Sequence, residues 1–586
     1  MQIRSARCGR SNISRFGAGC LAVVALLAAA GPAWSQSRAP SVFRPDAGTI
    51  LNLYAPPTNA PVLPSSTLPK PSDDMPAAAA SDARVRIFSF EIEGVTLLPK
   101  AEVEAQLAGL IGQEASLGDL RLAAARVTAL YREHGYFLAR AYVPAQRING
   151  GGVRIAVLEG RYDRVEANGS ARLDSARVEK TLAAQGIVPG EPIEQKALER
   201  SLILLEQRAG APAKAVLQPG ASLGTSSLQI EAPTGSLFNS ALGVDNFGNK
   251  YTGQRRSIAS VQLNSPLGVG DFGDLWVAYS SGARAAFASY QVPVGHDGLT
   301  LGASYSDFSY ELCCEFAALD RAGDAAVAAV QVLYPVLLSQ RAVLHAGFSL
   351  ERKRLTDTWA GGDLEDRQLN VAVFSLDGVT AALAGQVRYQ FALTSGDLDL
   401  TGPPDFITNN AATVDTAGRY SKLSGQVEFF HPLGGRSFLN LRLSGQTTNR
   451  NLDSAEKFLL GGYNGVRAYP EGEAAGDEAL LARLEWVRPL HLSAMPGQAA
   501  VRAFVDTGTV RLVNDLRGGL ADPGIPSNYS LSGAGLGFNW DLPRGFSLSA
   551  YVATKIGDNP GRSADGNDAD GENSSTRGWV GAQWAF

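Results

Sequence analysis

Gly461-Gly462-Tyr463-Asn464-Gly465-Val466-Arg467-Ala468-Tyr469-Pro470 is followed by an acidic, glycine-rich run to Asp477 and later by Phe504-Val505-Asp506-Thr507-Gly508. The first stretch is a glycine-framed loop carrying one arginine. The second is an alternating strand: Val501, Ala503 and Val505 take one face, and Arg502, Phe504 and Asp506 the other. Guanidinium against carboxylate allows two parallel hydrogen bonds, which fix orientation as well as charge. Such a pair is what a barrel needs to hold a loop inside its own lumen. In a water-containing lumen the pair is expected to contribute on the order of 1 kcal/mol, so its effect would be registry more than stability.

The surrounding sequence fits a barrel. From 233 to 586 the rhythm is strand after strand, each about ten residues long, from 236–246 to 577–586. Leu439, Leu441 and Leu443 alternate with Asn440, Arg442 and Ser444; Phe546, Leu548, Ala550 and Val552 alternate with Ser547, Ser549 and Tyr551. One face suits lipid and the other a polar lumen. The total comes to about sixteen strands, an even number like those of bacterial single-chain barrels. Tight turns at 268–271, 434–435 and 543–545 alternate with predicted outward loops near 310–324, 356–366, 397–417, 450–478, 509–528 and 555–576. Backbone groups in lipid need internal partners, so the last strand must pair with the first.

Before the barrel the pattern changes. Arg4, Arg7, Arg10 and Arg15 precede the apolar run Leu21–Ala30, and Ala33 and Ser35 offer cleavage near Gln36, so 1–35 reads as an export signal. No later stretch of eighteen apolar residues suggests a spanning helix. Residues 36–84 form a proline-rich linker in which 46–54 has room for two helical turns. From 85 to 160 the order is strand, helix, helix, strand, strand. Phe88, Phe90 and Ile92 alternate, and Leu117, Leu120, Ala124, Val127, Leu130 and Tyr131 form an apolar helix face. The same order recurs over 161–232, with helices near 172–185 and 191–208. The fold class is therefore mainly β: a 16-stranded antiparallel transmembrane barrel behind two small α+β units.

The loop and strand motifs together resemble those of two-partner secretion transporters, the haemolysin/haemagglutinin secretion-activation family. The tandem β-α-α-β-β units resemble POTRA domains, and the wording of 145–160 is close to the family's there. The resemblance implies a lumen-loop motif at Gly465, Val466, Arg467, Ala468, Tyr469 and Pro470, where the family's usual sequence has Gly in place of Ala468. It implies a partner-strand motif at Phe504, Asp506 and Gly508, and a pore-plugging N-terminal helix for which 46–54 is the candidate. Localisation would be the outer membrane, with the POTRA units periplasmic. The partner would be a large secreted exoprotein of adhesin, haemolysin or toxin type, threaded unfolded through a monomeric barrel lying among outer-membrane lipids. Phe586 resembles the signal read by the barrel-assembly machinery. No cofactor and no enzymatic step is implied. A barrel insertase shares the loop motif but carries more POTRA repeats, and a passive porin leaves the periplasmic units without a purpose.

Other signals fall away. Gly220-Ala221-Ser222-Leu223-Gly224 has the spacing of a hydrolase elbow but is followed by a strand, which fits a hairpin turn. His134, His296, His345, His431 and His491 show no ligand spacing, so no metal is expected. Asp565–Glu572 fails the calcium-loop register and reads as a solvated loop. Cys313-Cys314 is the one cysteine pair left after the signal, and adjacent cysteines cannot staple a fold together. At net charge −5 the chain has no basic stripe for nucleic acid, and no phosphate-cradling loop for a nucleotide.

Overall fold

Period-two alternation and glycine-rich turns build most of the molecule. The structure, a computed structural model, describes residues 45–56, 61–69, 84–148, 150–170, 172–360, 362–491, 496–515 and 526–586. The predicted signal over 1–35 and most of the linker lie outside the described residues.

A short helix, α1 (Ala47–Leu53), comes first, capped by the Asp46 carboxylate on Thr49 N–H. An α+β unit follows: β1 (Arg84–Arg86), β2 (Ser89–Glu93), α2 (Lys100–Leu107), β3 (Glu114–Ser116), α3 (Leu117–Glu133), β4 (Arg140–Tyr142) and β5 (Gly152–Leu158). The second comprises β6 (Arg161–Asn168), α4 (Ser175–Ala184), α5 (Gln195–Ala209), β7 (Lys214–Pro219) and β8 (Thr225–Glu231). Each unit lays two helices on a three-stranded sheet, ordered β2-β5-β4 and β6-β8-β7. Helix α3 starts where Ser116 and Asp119 form a reciprocal capping box, and its Leu120, Ala124, Val127, Leu130 and Tyr131 are buried. Phe88 does not belong to the predicted alternating strand. It lies between β1 and β2, exposed, because β1 leaves to pair with β3. Residues 220–224 are the turn between β7 and β8.

Sixteen strands then close on themselves: β9 (Phe238–Asp245), β10 (Arg256–Asn264), β11 (Phe272–Ser280), β12 (Ala283–Pro293), β13 (Thr300–Glu311), β14 (Arg321–Leu338), β15 (Ala342–Trp359), β16 (Gly362–Ala382), β17 (Gly385–Leu400), then, after helix α6 (Pro404–Ala412), β18 (Gly418–Pro432) and β19 (Phe438–Thr448). A small lumenal pair, β20 (Phe458–Leu459) with β21 (Ala475–Gly476), interrupts the series. It resumes with β22 (Glu478–Leu490), β23 (Gln498–Arg511), β24 (Asn528–Asp541), β25 (Phe546–Lys555) and β26 (Thr576–Ala585). The final strand β26 pairs antiparallel with β9, from Gly581↔Asp245 to Ala585↔Ala241, and Phe586 and Ser240 exchange both backbone bonds. No barrel edge is left open to lipid.

Two expectations need correction. Strands β14 to β17 run 18, 18, 21 and 16 residues, well beyond ten. The loop predicted at 356–366 is instead strand on both sides of a tight hairpin, with Trp359 opposite Gly362. Beyond the hydrocarbon both faces of a strand meet water. Polar residues such as Thr356, Asp357, Glu365 and Asp366 therefore read as loop although the ladder continues through them.

At the junction of the two α+β units, the buried Glu159 carboxylate accepts from Thr96 N and Leu97 N at 2.6 and 2.8 Å, from Tyr131 OH at 2.9 Å, and from the Thr96 hydroxyl. Burial opposes its charge, but these donors outweigh burial and hold the carboxyl below its ordinary value. A depressed carboxylate stabilises above its unfolded pKa, about 4.3, and that contribution disappears as pH falls through the folded value. Glu159→Gln should therefore lose about 2 kcal/mol near neutral pH and flatten the acid dependence. Hydrogen exchange at Thr96 and Leu97, followed between pH 7 and pH 3, checks both outcomes.

Candidate functional site

The connection from β19 to β22 turns back into the lumen instead of arching over it. Its tip is built by short local bonds: Gly465 N to Gly462 O at 3.1 Å, Val466 N to Leu460 O at 2.8 Å and Tyr469 N to Val466 O at 3.0 Å. A Cβ on Gly465 would sit 2.0 Å from Leu460 O, so no other residue fits there. Gly462 has φ +108, and a side chain on it would strike the Glu471 carboxylate.

This turn presents Arg467 to the wall. Its Nε and Nη2 donate to Asp506 Oδ2 and Oδ1 at 2.8 and 2.7 Å, and its backbone N–H to Oδ2 at 3.2 Å. The remaining nitrogen, Nη1, donates to Glu485 Oε1 at 2.6 Å on β22. Below the guanidinium lies Phe504, its ring centroid 3.5 Å from Cζ. Arg502 donates to the other Glu485 oxygen at 2.7 Å, and Arg483 to Asn464 O at 3.0 Å. Of the residues predicted for the site, Val466, Ala468, Tyr469 and Phe504 form one apolar cluster around the ion pair, and Pro470 is buried beside them. Gly508 has Leu460 against its missing side chain, 2.4 Å from an ideal Cβ.

The energetic expectation changes. Arg467 is 1 % exposed and Asp506 0 %, so the pair is dry and not water-screened. Removing one partner of a buried pair costs about 3–5 kcal/mol, because the other charge is left without compensation. Sequence reasoning missed Glu485, Arg483 and Arg502. Their inward positions on alternating strands, in register with Asp506 and Phe504, were the available signal.

The loop also binds the first and last strands. Trp579 Nε1 on β26 donates to Arg467 O at 2.8 Å, and Asn249, just after β9, donates to Glu471 O at 2.9 Å. Tyr463 stacks on Phe247 at 3.8 Å. The acidic stretch predicted as a solvated loop is solvated only at its ends, where Asp565 and Glu572 are exposed. Asp568 and Asp570 are buried, Asp568 pairing with Lys555 at 2.5 Å and Asp570 with Arg577 at 2.7 Å, while Ala569 N donates to Glu473 on the lumen loop. Lysine and arginine on neighbouring strands turn that charge run into a lid over the loop. Cys313 and Cys314 are joined to each other by a disulfide that links no two elements.

A second occupant shares the lumen. Helix α1 lies along the inner wall, with Ala47, Ile50 and Tyr54 in one cluster with Phe308, Leu355, Leu369 and Val371. Ala47 N donates to Asp357 at 2.9 Å, and Tyr54 OH to Ser280 Oγ at 2.8 Å. Arg367 holds Asp46 at 3.2 Å and Asp453 at 3.0 Å, and also pairs with Asp357. Asp46, Asp357 and Glu365 converge closely enough to suggest a cation site, but the Arg367 guanidinium already lies against all three carboxylates.

A family model described as haemolysin secretion/activation protein ShlB/FhaC/HecB matches residues 224–540, more than half of the chain. The chain belongs to that family. A second model, POTRA domain of ShlB type, matches residues 85–160. The heme/hemopexin transporter protein HuxB of Haemophilus influenzae is 24% identical over 458 residues, covering 77% of this chain and 80% of its own. The outer membrane transporter CdiB of Dickeya dadantii is 23% identical over 431 residues, covering 70% and 74%. The solved structure of CdiB from Escherichia coli shares the fold at TM-score 0.71 and 20% identity, covering 88% of this chain and 92% of its own. The protein is an outer-membrane transporter of the two-partner secretion type, its POTRA region on the periplasmic side.

Arg467→Lys should be nearly as damaging as Arg467→Ala, since an ammonium cannot satisfy both Asp506 oxygens and Glu485 from one plane. Both variants should still insert as heat-modifiable barrels. Hydrogen exchange across 460–473 should rise at least tenfold in each, and wild-type protection in Arg467→Lys would show that charge alone suffices.

Proposed function

We propose that this transporter exports one large partner protein of adhesin, haemolysin or toxin type without any enzymatic step. In this reading residues 1–35 direct export and 36–84 tether the plug. Residues 85–160 and 161–232 are two POTRA domains, and 233–586 form the barrel with its lumen loop at 450–478. Extended segments of the unfolded partner add to sheet edges of the POTRA domains, where main-chain hydrogen bonds give affinity without demanding one sequence. The chain then threads the lumen, and its folding outside supplies direction. A monomer suffices. The barrel-assembly machinery acts during insertion.

The observation that carries this reading is the pair of lumen occupants, α1 and the β19–β22 connection, inside a closed barrel joined to two α+β units. A passive porin has no use for such a filling. The Gly465–Pro470 turn, gripped by Phe504, Asp506 and Gly508, is the fixed occupant that gives the pore its shape. Helix α1 is the removable one: it is seven residues long, and much of its attachment comes from side chains. The relatives named above are a heme/hemopexin transporter protein and two proteins named CdiB, and a large exported cargo fits the present chain.

Deleting residues 46–54 should raise the single-channel conductance of the reconstituted barrel severalfold, with Asp46→Ala giving frequent partial openings. An unchanged conductance would remove α1 from the gate. For secretion itself, the barrel gene is deleted in cells that produce a candidate large exported partner. The partner should accumulate in the periplasm and reach the surface again when the barrel is restored. Arg467→Asp should insert but fail to restore export. Export in the absence of the barrel would refute the assignment.

A further inference from the structure

On the outer wall the strand register lines side chains into rows that run from strand to strand. Arg367 and Lys353 face the lumen, so Gln368, Asn370, Ala372 and Phe374 on β16 and Phe348, Leu350 and Arg352 on β15 face outward. One row reads Val332, Phe348, Phe374, Leu393 and Leu423 across β14 to β18, all apolar and all more than a third exposed. Such a row lies in hydrocarbon. Four residues further toward the outer hairpins the row reads Arg352, Asn370, Asp397 and Arg419. Between the two rows the wall is dented by a recess of about 560 Å3, lined by Val330, Leu350, Ala372 and Ser395 below and the charged row above.

At about 3.4 Å per residue, the charged row lies roughly 13 Å along the strands from the apolar row, a reach comparable to half the hydrocarbon thickness. Its order is cation, amide, carboxylate, cation. Arg352 and Arg419 stand three strands apart, roughly 14 Å at ordinary interstrand spacing. Arg352 spends one donor on Gln368 at 3.0 Å, and Arg419 is only 3.9 Å from Asp397, so both guanidinium groups keep donors free for a planar anion. A single phosphate cannot bridge that distance. A disaccharide headgroup with a phosphate at each end can, with sugar hydroxyls meeting Asn370 and Asp397 between.

We infer that this recess is a binding site for a bis-phosphorylated glycolipid of the outer leaflet, its phosphates on Arg352 and Arg419 and an acyl chain against Val330 and Leu350. The lipid would brace the tall β14–β17 wall, the part of the barrel that rises furthest from the membrane. Its anchoring depends on headgroup charge and on the shape of the recess together.

The test uses the full-length barrel in zwitterionic detergent-free nanodiscs doped with lipid A, read by native mass spectrometry after release. Wild type should keep one lipid A through washing. Arg352→Gln/Arg419→Gln, checked for heat-modifiable folding, should bind on the order of 30-fold more weakly, as the loss of two interfacial arginines implies. Leu350→Trp, which fills the recess and leaves both arginines, should also lose the lipid. Equal retention by the double variant, by Leu350→Trp, or of dephosphorylated lipid A by wild type would each overturn the site. So would displacement by millimolar inorganic phosphate, which would make it a simple anion site.

Discussion

A sheet crossing hydrocarbon can leave no backbone group unpaired, and here that demand is met by β26 lying against β9. Everything inside follows from this closure. Sixteen strands enclose more space than wall side chains can fill, so the chain supplies its own filling from two directions. The lumen loop enters from the outer side, and α1 lies against the opposite part of the wall. Their polar attachments face inward from alternating positions whose neighbours face lipid. The same period-two rule that makes the wall therefore also sets the register of the filling.

The lumen loop is held by charges with no water around them. Replacing such a network with apolar side chains of similar volume often stabilises a fold, so stability alone is a poor reason for it. Orientation is a better one. A fork against a carboxylate fixes angle and distance together, and Phe504 under the guanidinium sets its plane. Trp579 and Asn249 then tie the oriented turn to the last and first strands. A loop seated this way reports on the closure of the barrel, because both sides of the closing seam touch it.

Much of this was legible in the sequence because it depends on local periodicity. Alternation gave the barrel and its even strand number, and helical spacing gave α3. The Arg467–Asp506 pairing was readable because the glycine-framed turn and the later strand resemble the family's motifs, and alternation put Asp506 on the inward face. What was not legible depends on partners far away in sequence. Asp46 meets Arg367 across the lumen, and nothing in 46–54 announces it. Asp568 and Asp570 read as solvated until Lys555 and Arg577 are placed beside them by strand register. The tall wall escaped for the opposite reason: above the membrane a strand no longer alternates in hydropathy, so its pattern resembles a loop.

The two occupants differ in what their departure would leave behind. If α1 withdraws, Asp46 leaves with it, yet Arg367 still holds Asp357 and Asp453. Asp357 loses only the Ala47 N–H, which water can replace in an opened lumen. No charge is stranded. If Arg467 withdraws, Asp506 keeps only Arg483 at 3.5 Å, Glu485 keeps Arg502, and the Trp579 indole and the Phe504 face lose their partners together. The first departure is reversible at small cost; the second dismantles a dry network. A pore that must open for a passing chain and afterwards close again can therefore release the helix while the arginine turn stays seated, and the charge arrangement around each is what separates the two roles.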